Sequence, residues 1–151
     1  MHRFSRRSAI RSLALLAAAF LSRTAPWASA AEKTPLAIKG YDPIAYFTVG
    51  IPTPGLAELE YEWDERRYRF ARAEHRERFK TDPLRYAPQF ADFCAMAISL
   101  GEIVEADPEH WLISDGKLYI FGKTTGPALF RQDLARNIDK ANQNRVLLPK
   151  R

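Results

Sequence analysis

Hydrophobic and polar residues alternate along two stretches of the chain, with the period of two that is typical of half-buried β-strands. The first stretch, residues 59–71, predicts a β-hairpin that turns around residues 64–66. Its hydrophobic members are Leu59, Tyr61, Trp63, Tyr68 and Phe70. The second stretch, residues 111–121, contains the pair Asp115-Gly116, which is a strong signal for a tight hairpin turn. We therefore expect two antiparallel hairpins.

Helical periodicity separates and follows these hairpins. Residues 73–80 and 83–90 predict two short helices, and a longer amphipathic helix is expected to begin near Pro127. Its hydrophobic face consists of Phe130, Leu134, Ile138 and Ala141. Hairpins mixed with helices, without strict alternation of strand and helix, indicate the α+β class. The prediction is a small single domain of two or more antiparallel hairpins, with short helices and a C-terminal amphipathic helix.

Three Asp-Pro pairs mark further element boundaries. Aspartate accepts hydrogen bonds from the free amides of a first helical turn, and proline tolerates the position that follows. Each pair is therefore expected to begin a helix or a turn. The pairs are Asp42-Pro43, Asp82-Pro83 and Asp107-Pro108.

The first thirty residues have the composition of a cleavable export signal. A basic start with Arg6-Arg7 resembles the twin-arginine signal, and the apolar run of residues 13–21 is shorter than a membrane span requires. Small residues at 28–30 suit cleavage before Ala31. The competing interpretation is an uncleaved membrane anchor. We expect an export signal at 1–30, a leader at 31–39 and a folded domain at 40–148, located in the periplasm or otherwise exported, with no stable membrane anchor after cleavage.

Removal of this segment changes the charge of the chain. The full sequence has 23 Lys and Arg against 18 Asp and Glu, and all five basic residues of residues 1–30 leave without any acidic residue. The mature chain is therefore neutral. The basic pI of the full sequence comes from the export signal and gives no support for nucleic-acid binding. No phosphate loop, nucleophile elbow, His-Glu-x-x-His pair or Cys-x-x-Cys pair is present, and an enzymatic function is not favoured.

Four motifs resemble the YHS-domain family, in particular its exported bacterial branch. They are GYDPIAYFTVGIPTPG, YRFARAEHRERFKTDPLRYAPQF, FCAMAISLG and DPEHWLISDGKLYI, and with the C-terminal helix they cover nearly the whole mature chain in order. The resemblance implies a cysteine-bearing module associated with metal, especially copper. The first cysteine position of the family falls here on Ala71 and the second on His75, while Tyr68, Phe70 and Phe79 keep the packing positions.

A sulfur pair is the main candidate for metal chemistry. Cys94 is the only cysteine, and as part of a strand it would share one face with Met96. A thiolate and a thioether suit copper(I), and an imidazole would complete the set. His75 is the preferred partner and His110 the reserve. The alternatives are that both sulfurs fill a hydrophobic core, or that Cys94 acts as a redox thiol.

The segment GYDPIAYF suggests a second candidate site, a ligand pocket with apolar walls and a few polar groups. Its predicted residues are Tyr41, Asp42, Tyr46, Tyr86 and Trp111. The alternative is that the aspartate caps a helix and the aromatic residues pack in a small core.

Three functional hypotheses follow from these sites. The leading one is an exported YHS-type binding module that holds a soft metal ion such as copper through Cys94, Met96 and His75. The second is a ligand-binding or partner-binding domain without metal that uses the aromatic surface. The third is a small redox protein that acts through Cys94.

Overall fold

The structure, a computed structural model, describes residues 34–148. The predicted export signal at 1–30 lies outside the described residues. The strands are β1 (Leu56–Trp63), β2 (Arg66–Phe70), β3 (Asp107–Ser114) and β4 (Lys117–Phe121). The helices are α1 (Ala45–Thr48), α2 (Ala73–Thr81), α3 (Pro83–Tyr86), α4 (Ala95–Ser99), α5 (Gly126–Gln132) and α6 (Leu134–Gln143), with 3-10 turns at Ala37–Gly40 and Asn144–Leu147.

Both predicted hairpins are confirmed. Strands β1 and β2 pair antiparallel in one two-stranded sheet, and β3 and β4 pair antiparallel in another. Each turn places two residues in the left-handed region: Asp64 and Glu65 have φ of 50° and 57°, and Asp115 and Gly116 have φ of 49° and 69°. Positive φ at both central residues matches the right-handed twist of the flanking strands. The predicted α+β class is therefore confirmed.

Aromatic rings form the first of two hydrophobic cores. Phe79 of α2 is fully buried, and its ring centroid lies 4.6 Å from that of Tyr68 and 5.3 Å from that of Phe70 on β2. Tyr61 and Trp63 of β1 add contacts at 6.3 and 6.0 Å. These are the side chains that the alternating pattern placed on one face, so the hairpin buries that face against α2.

The second core lies between α4, β4 and the two C-terminal helices. Its fully buried members are Ile98, Phe121, Phe130 and Ala141. Phe121 and Phe130 meet edge to face with centroids 5.3 Å apart. The apolar residues predicted after Pro127 do lie on helices. They form two helices instead of one, because Asp133 (φ −143°, ψ 66°) has non-helical backbone and separates α5 from α6.

The predicted strand in FCAMAIS is wrong, because this segment forms the helix α4. Cys94 is the N-cap of that helix, with extended backbone at φ −64° and ψ 114°, and its Sγ accepts a hydrogen bond from the amide of Ala97. Short apolar runs fit a strand and a buried helix equally well by periodicity. The helix ends where Gly101 takes a φ of 83°, a conformation that glycine adopts without strain.

The helix predicted at 83–90 is also shorter than expected. It ends at Tyr86, and Ala87 is extended at φ −65° and ψ 146°. Ala87 precedes Pro88, and a residue before proline is driven from the helical to the extended region by the proline ring. In residues 34–148, no helix is long and apolar enough to cross a membrane.

The ring cluster around Phe79 gives a test of the first core. Phe79→Ala removes a fully buried ring, and we expect it to lower the free energy of unfolding by about 3–5 kcal/mol. Leu84→Ala is the matched control, because Leu84 is 76% exposed on the next helix, and its loss should stay within about 0.5 kcal/mol. Urea unfolding measures both variants. Similar losses in the two would contradict the assigned core.

Candidate functional site

Asp42 is a fully buried carboxylate that connects the starts of two helices. Its Oδ1 accepts hydrogen bonds from the amide of Ile44 at 2.8 Å and from that of Ala45 at 3.3 Å, which open α1. Its Oδ2 accepts from the amide of Ala71 at 2.8 Å, two residues before α2. Oδ2 also lies 2.6 Å from Nδ1 of His75 in the first turn of α2. The predicted cap at Asp42-Pro43 is therefore present, and it extends to a second element.

The imidazole of His75 is held in one orientation by this contact. A carboxylate only accepts hydrogen bonds, so Nδ1 of His75 carries the proton and donates it to Asp42. The other ring nitrogen, Nε2, lies 3.4 Å from Oγ1 of Thr48 at the end of α1. The side chain of His75 is 12% exposed, and Thr48 is exposed. The pair thus presents one ring nitrogen and one hydroxyl at the surface.

The hydroxyl of Thr48 has its own donor bond. Oγ1 of Thr48 donates its proton to the carbonyl oxygen of Ile44 at 3.0 Å. Oγ1 can therefore only accept a hydrogen bond from a neighbouring group. When the imidazole of His75 is neutral, Nε2 also presents a lone pair. Two hydrogen-bond acceptors then lie side by side, with the buried carboxylate of Asp42 behind them.

Burial of Asp42 requires compensation, because a desolvated carboxylate costs several kcal/mol unless it is hydrogen-bonded. Three backbone amides and one imidazole supply four bonds here. The amides belong to the first turn of α1 and to the residues that lead into α2, where the unpaired amides favour negative charge. The carboxylate is therefore satisfied without a lysine or arginine partner.

Asp42 also joins the two positions onto which the resemblance to YHS domains would place a cysteine pair. These are Ala71 and His75, and both bind the same carboxylate oxygen. The resemblance gave no indication of this role for Asp42. In this chain, an aspartate and a histidine organise the place where the resemblance implies two thiols.

The other predicted pocket residues differ in accessibility. Tyr46 is buried, its hydroxyl donates to the carbonyl oxygen of Pro108 at 2.9 Å, and its ring meets that of Trp111 edge to face at 5.4 Å. Tyr41 donates to Oε1 of Glu109 at 2.7 Å. Tyr41 and Trp111 are half-buried and keep some exposed surface, whereas Tyr46 does not.

Tyr86 lies on the other side of α1. Its ring is half-buried and meets that of Phe47 edge to face, with centroids 5.2 Å apart. Phe47 precedes Thr48 near the end of α1. Asp42 and Tyr46 are buried and position their neighbours, while Tyr41, Tyr86 and Trp111 retain exposed surface.

The predicted metal donors lie in different parts of the fold. His75 is on α2, which packs on β1 and β2, whereas Cys94 precedes α4, which packs on α5, α6 and β4. Cys94 is buried, and it lines a groove of about 190 Å³ together with Met96. His110, the reserve donor, places its Nε2 2.9 Å from Oγ1 of Thr124. Among residues 34–148, no three His, Cys, Asp or Glu side chains form a metal-binding group.

Thr48 and Asp92 are site residues that sequence reasoning missed. Thr48 is 27 positions from His75, and nothing in its surroundings in the sequence points to that partner. Asp92 lies between Ala91 and Phe93, and a carboxylate within an apolar stretch is a signal of internal hydrogen bonding. Oδ1 of Asp92 accepts from the amide of Ile38 at 2.7 Å.

Comparison of the chain with protein-family models, with curated proteins and with solved structures gives no match. The resemblance to YHS domains therefore depends on the sequence motifs alone.

The contribution of the buried carboxylate can be measured directly. In Asp42→Asn, one oxygen becomes an amide nitrogen, which faces backbone N–H donors in either orientation of the side chain. We expect a loss of about 2–4 kcal/mol in the free energy of unfolding. Asp82→Asn is the matched control: Asp82 is an exposed N-cap that accepts from Arg85, and asparagine caps a helix as well as aspartate. Equal urea midpoints for the two variants would refute the role given to Asp42.

Buried tyrosines predict a loss of stability in alkali. Burial is the main cause that raises the pKa of Tyr46, with nearby Glu109 adding to it, and burial likewise raises the pKa of Tyr68. The unfolded chain releases these protons at about pH 10, and the folded chain releases them only above that pH. The contribution of the two tyrosines to the free energy of unfolding is therefore fully present below about pH 10 and decreases as the pH rises further.

The expected slope is about 1.4 kcal/mol per pH unit for each such tyrosine. Tyr46→Phe should remove one such contribution, while the lost bond to Pro108 costs about 1 kcal/mol at neutral pH. Urea unfolding between neutral pH and alkali measures both effects. An unchanged alkaline slope in the variant would contradict the burial of this hydroxyl.

Proposed function

We propose that this chain is an exported binding module of the YHS type, and that its ligand is a small amine held between Nε2 of His75 and Oγ1 of Thr48. The observation that carries the proposal is the bond between Asp42 and Nδ1 of His75. A carboxylate that binds one imidazole nitrogen fixes the direction of the ring and the tautomer of its neutral form, as in histidines that bind ligands or transfer protons.

The arrangement of acceptors supports an amine rather than an anion. Oγ1 of Thr48 uses its proton on Ile44, and Nε2 of a neutral His75 has only a lone pair to offer. An N–H donor satisfies both atoms at once. The carboxylate of Asp42 behind the ring adds negative potential, which favours an ammonium group over a carboxylate or phosphate.

The aromatic neighbours suit the same ligand class. Phe47, which precedes Thr48 in the chain, forms an edge-to-face pair with Tyr86, and the two half-buried rings offer apolar surface. An alkylammonium would place its charged group at the two acceptors and its apolar stem against these rings. In this proposal, these rings take the part of the apolar walls expected from GYDPIAYF, and His75 and Thr48 are the polar groups.

The donors of the predicted copper site do not fit the metal. Copper(I) requires soft donors that converge on one point at bonding distance, and His75 lies on a different helix and packs on different strands from Cys94 and Met96. The redox hypothesis also lacks support from the site. Cys94 is buried and its Sγ caps α4, whereas reactive thiols are exposed in electropositive surroundings.

Titration of the ring nitrogens of His75 by NMR tests the proposal. Propylammonium should shift the Nε2 signal in a saturable manner, because it supplies the N–H donor. Tetramethylammonium, a cation without N–H, and propionate, an anion, should not. Thr48→Val removes one acceptor at nearly constant shape and should weaken propylammonium binding roughly fivefold, the value of one hydrogen bond.

Thr81→Val is the matched control. Thr81 is exposed and donates to the carbonyl oxygen of Arg78 at 2.7 Å, as Thr48 does to that of Ile44, but it ends a different helix. Its variant should bind propylammonium like the unmutated protein. Equal responses to propionate and propylammonium, or equal affinities in the two threonine variants, would disprove the amine site. Stoichiometric copper in the exported protein that is lost in Cys94→Ser would favour the metal hypothesis instead.

A further inference from the structure

A second concave site lies away from His75, between the N-terminal turn and the second hairpin. It is a cleft of about 280 Å³ with an apolar floor that includes Ile38, Phe93 and Ile120. Charged side chains border it, namely Lys39, Arg66, Asp92 and Glu105. The volume is just below the range of about 300–1,000 Å³ for ligand pockets, so the cleft suits a small metabolite rather than a large ligand.

Asp92 holds the walls of this cleft together. Oδ1 accepts the amide of Ile38 at 2.7 Å, and Oδ2 accepts a hydrogen bond from Nη1 of Arg66 at 2.8 Å. The backbone oxygen of Asp92 accepts the amide of Ala106 at 2.8 Å. One residue therefore connects the N-terminal turn, β2 and the segment that leads into β3. A site fixed by such internal bonds is preorganised for binding.

The N-terminal turn is strained where it forms the cleft. Ile38 and Lys39 have φ of 50° and 49°, and Gly40 follows with φ of 86°. The left-handed region is unfavourable for a β-branched isoleucine. Strain of this kind persists only when the surroundings enforce it, and it concentrates at functional sites. Here the turn buries the side chain of Ile38 in the floor and leaves Lys39 exposed at the rim.

The rim charges differ in how firmly they are paired. Arg66 and Asp92 are mostly buried and form a short ion pair. Lys39 and Glu105 are separated by 3.3 Å, but their side chains are 52% and 68% exposed. Exposed pairs of this kind contribute little to stability. A ligand that brings its own two opposite charges can therefore replace the contact between Lys39 and Glu105 at small cost.

We propose that this cleft binds an α-amino acid with an apolar side chain in its zwitterionic form. The carboxylate of the ligand pairs with Lys39 next to Arg66, its ammonium group pairs with Glu105, and its side chain lies on the floor with Phe93 and Ile120. A simple anion or a simple cation satisfies only one of the two rim charges, and a ligand without a side chain leaves the floor uncovered. The proposal is independent of the amine site at His75.

Isothermal titration calorimetry with L-leucine tests the proposal. We expect saturable one-to-one binding to the unmutated protein. Isocaproate lacks the ammonium group, isopentylamine lacks the carboxylate and glycine lacks the side chain, and each should bind at least tenfold more weakly. Absence of saturable binding of leucine, or equal binding of leucine and isopentylamine, would overturn the proposal.

Variants assign the binding to the cleft. Lys39→Met should weaken leucine binding at least tenfold, and Lys117→Met, which changes an exposed lysine of the second hairpin turn, should leave it unchanged. Ala106→Leu fills the cleft from a buried wall position and should abolish leucine binding. If Ala106→Leu fails to fold, Glu105→Gln tests the cleft instead, because it removes the charge proposed to pair with the ammonium group. Leucine binding that survives Lys39→Met but is lost in Thr48→Val would place the ligand at His75 and refute the cleft site.

Discussion

The carboxylate of Asp42 is the interaction on which the first half of the domain depends. It is buried, and its four hydrogen bonds fix the start of α1, the approach to α2 and the ring of His75 at the same time. Removal of any one of these groups leaves a buried charge less compensated. The relative position of α1 and α2, and with it the distance from Thr48 to His75, therefore follows from one side chain.

Asp92 has the equivalent role on the other side of the first core. It binds the amide of a strained residue, Ile38, and the guanidinium of Arg66. Left-handed backbone at a non-glycine residue costs about 1–3 kcal/mol, and the partly buried bond from the Ile38 amide to Asp92 offsets part of that cost. Asp42 and Asp92 thus fix loop segments through hydrogen bonds, a role that disulfides or bound ions have in many small domains.

Local signals predicted the elements well, and long-range partners poorly. Asp115-Gly116 and the alternation around Tyr61 and Tyr68 define hairpins because both signals act over a few residues. The segment containing Cys94 was predicted as a strand, because a short apolar run has no period that distinguishes strand from helix. The helix became favourable only through burial of Ile98 against α5, α6 and β4, which is tertiary information.

The candidate site shows the same division. The sequence predicts Asp42 as a cap and as a pocket residue, and His75 as a metal ligand, but the contact between them spans 33 positions and no spacing rule connects them. Cysteine and methionine are rare in this sequence, which favours Cys94 and Met96 as candidate metal ligands. In the structure, Cys94 is a helix cap and a packing residue. Rarity measures how unusual a residue is. It does not measure whether its neighbours in the fold can act with it, which depends on the carboxylates that bring distant segments together.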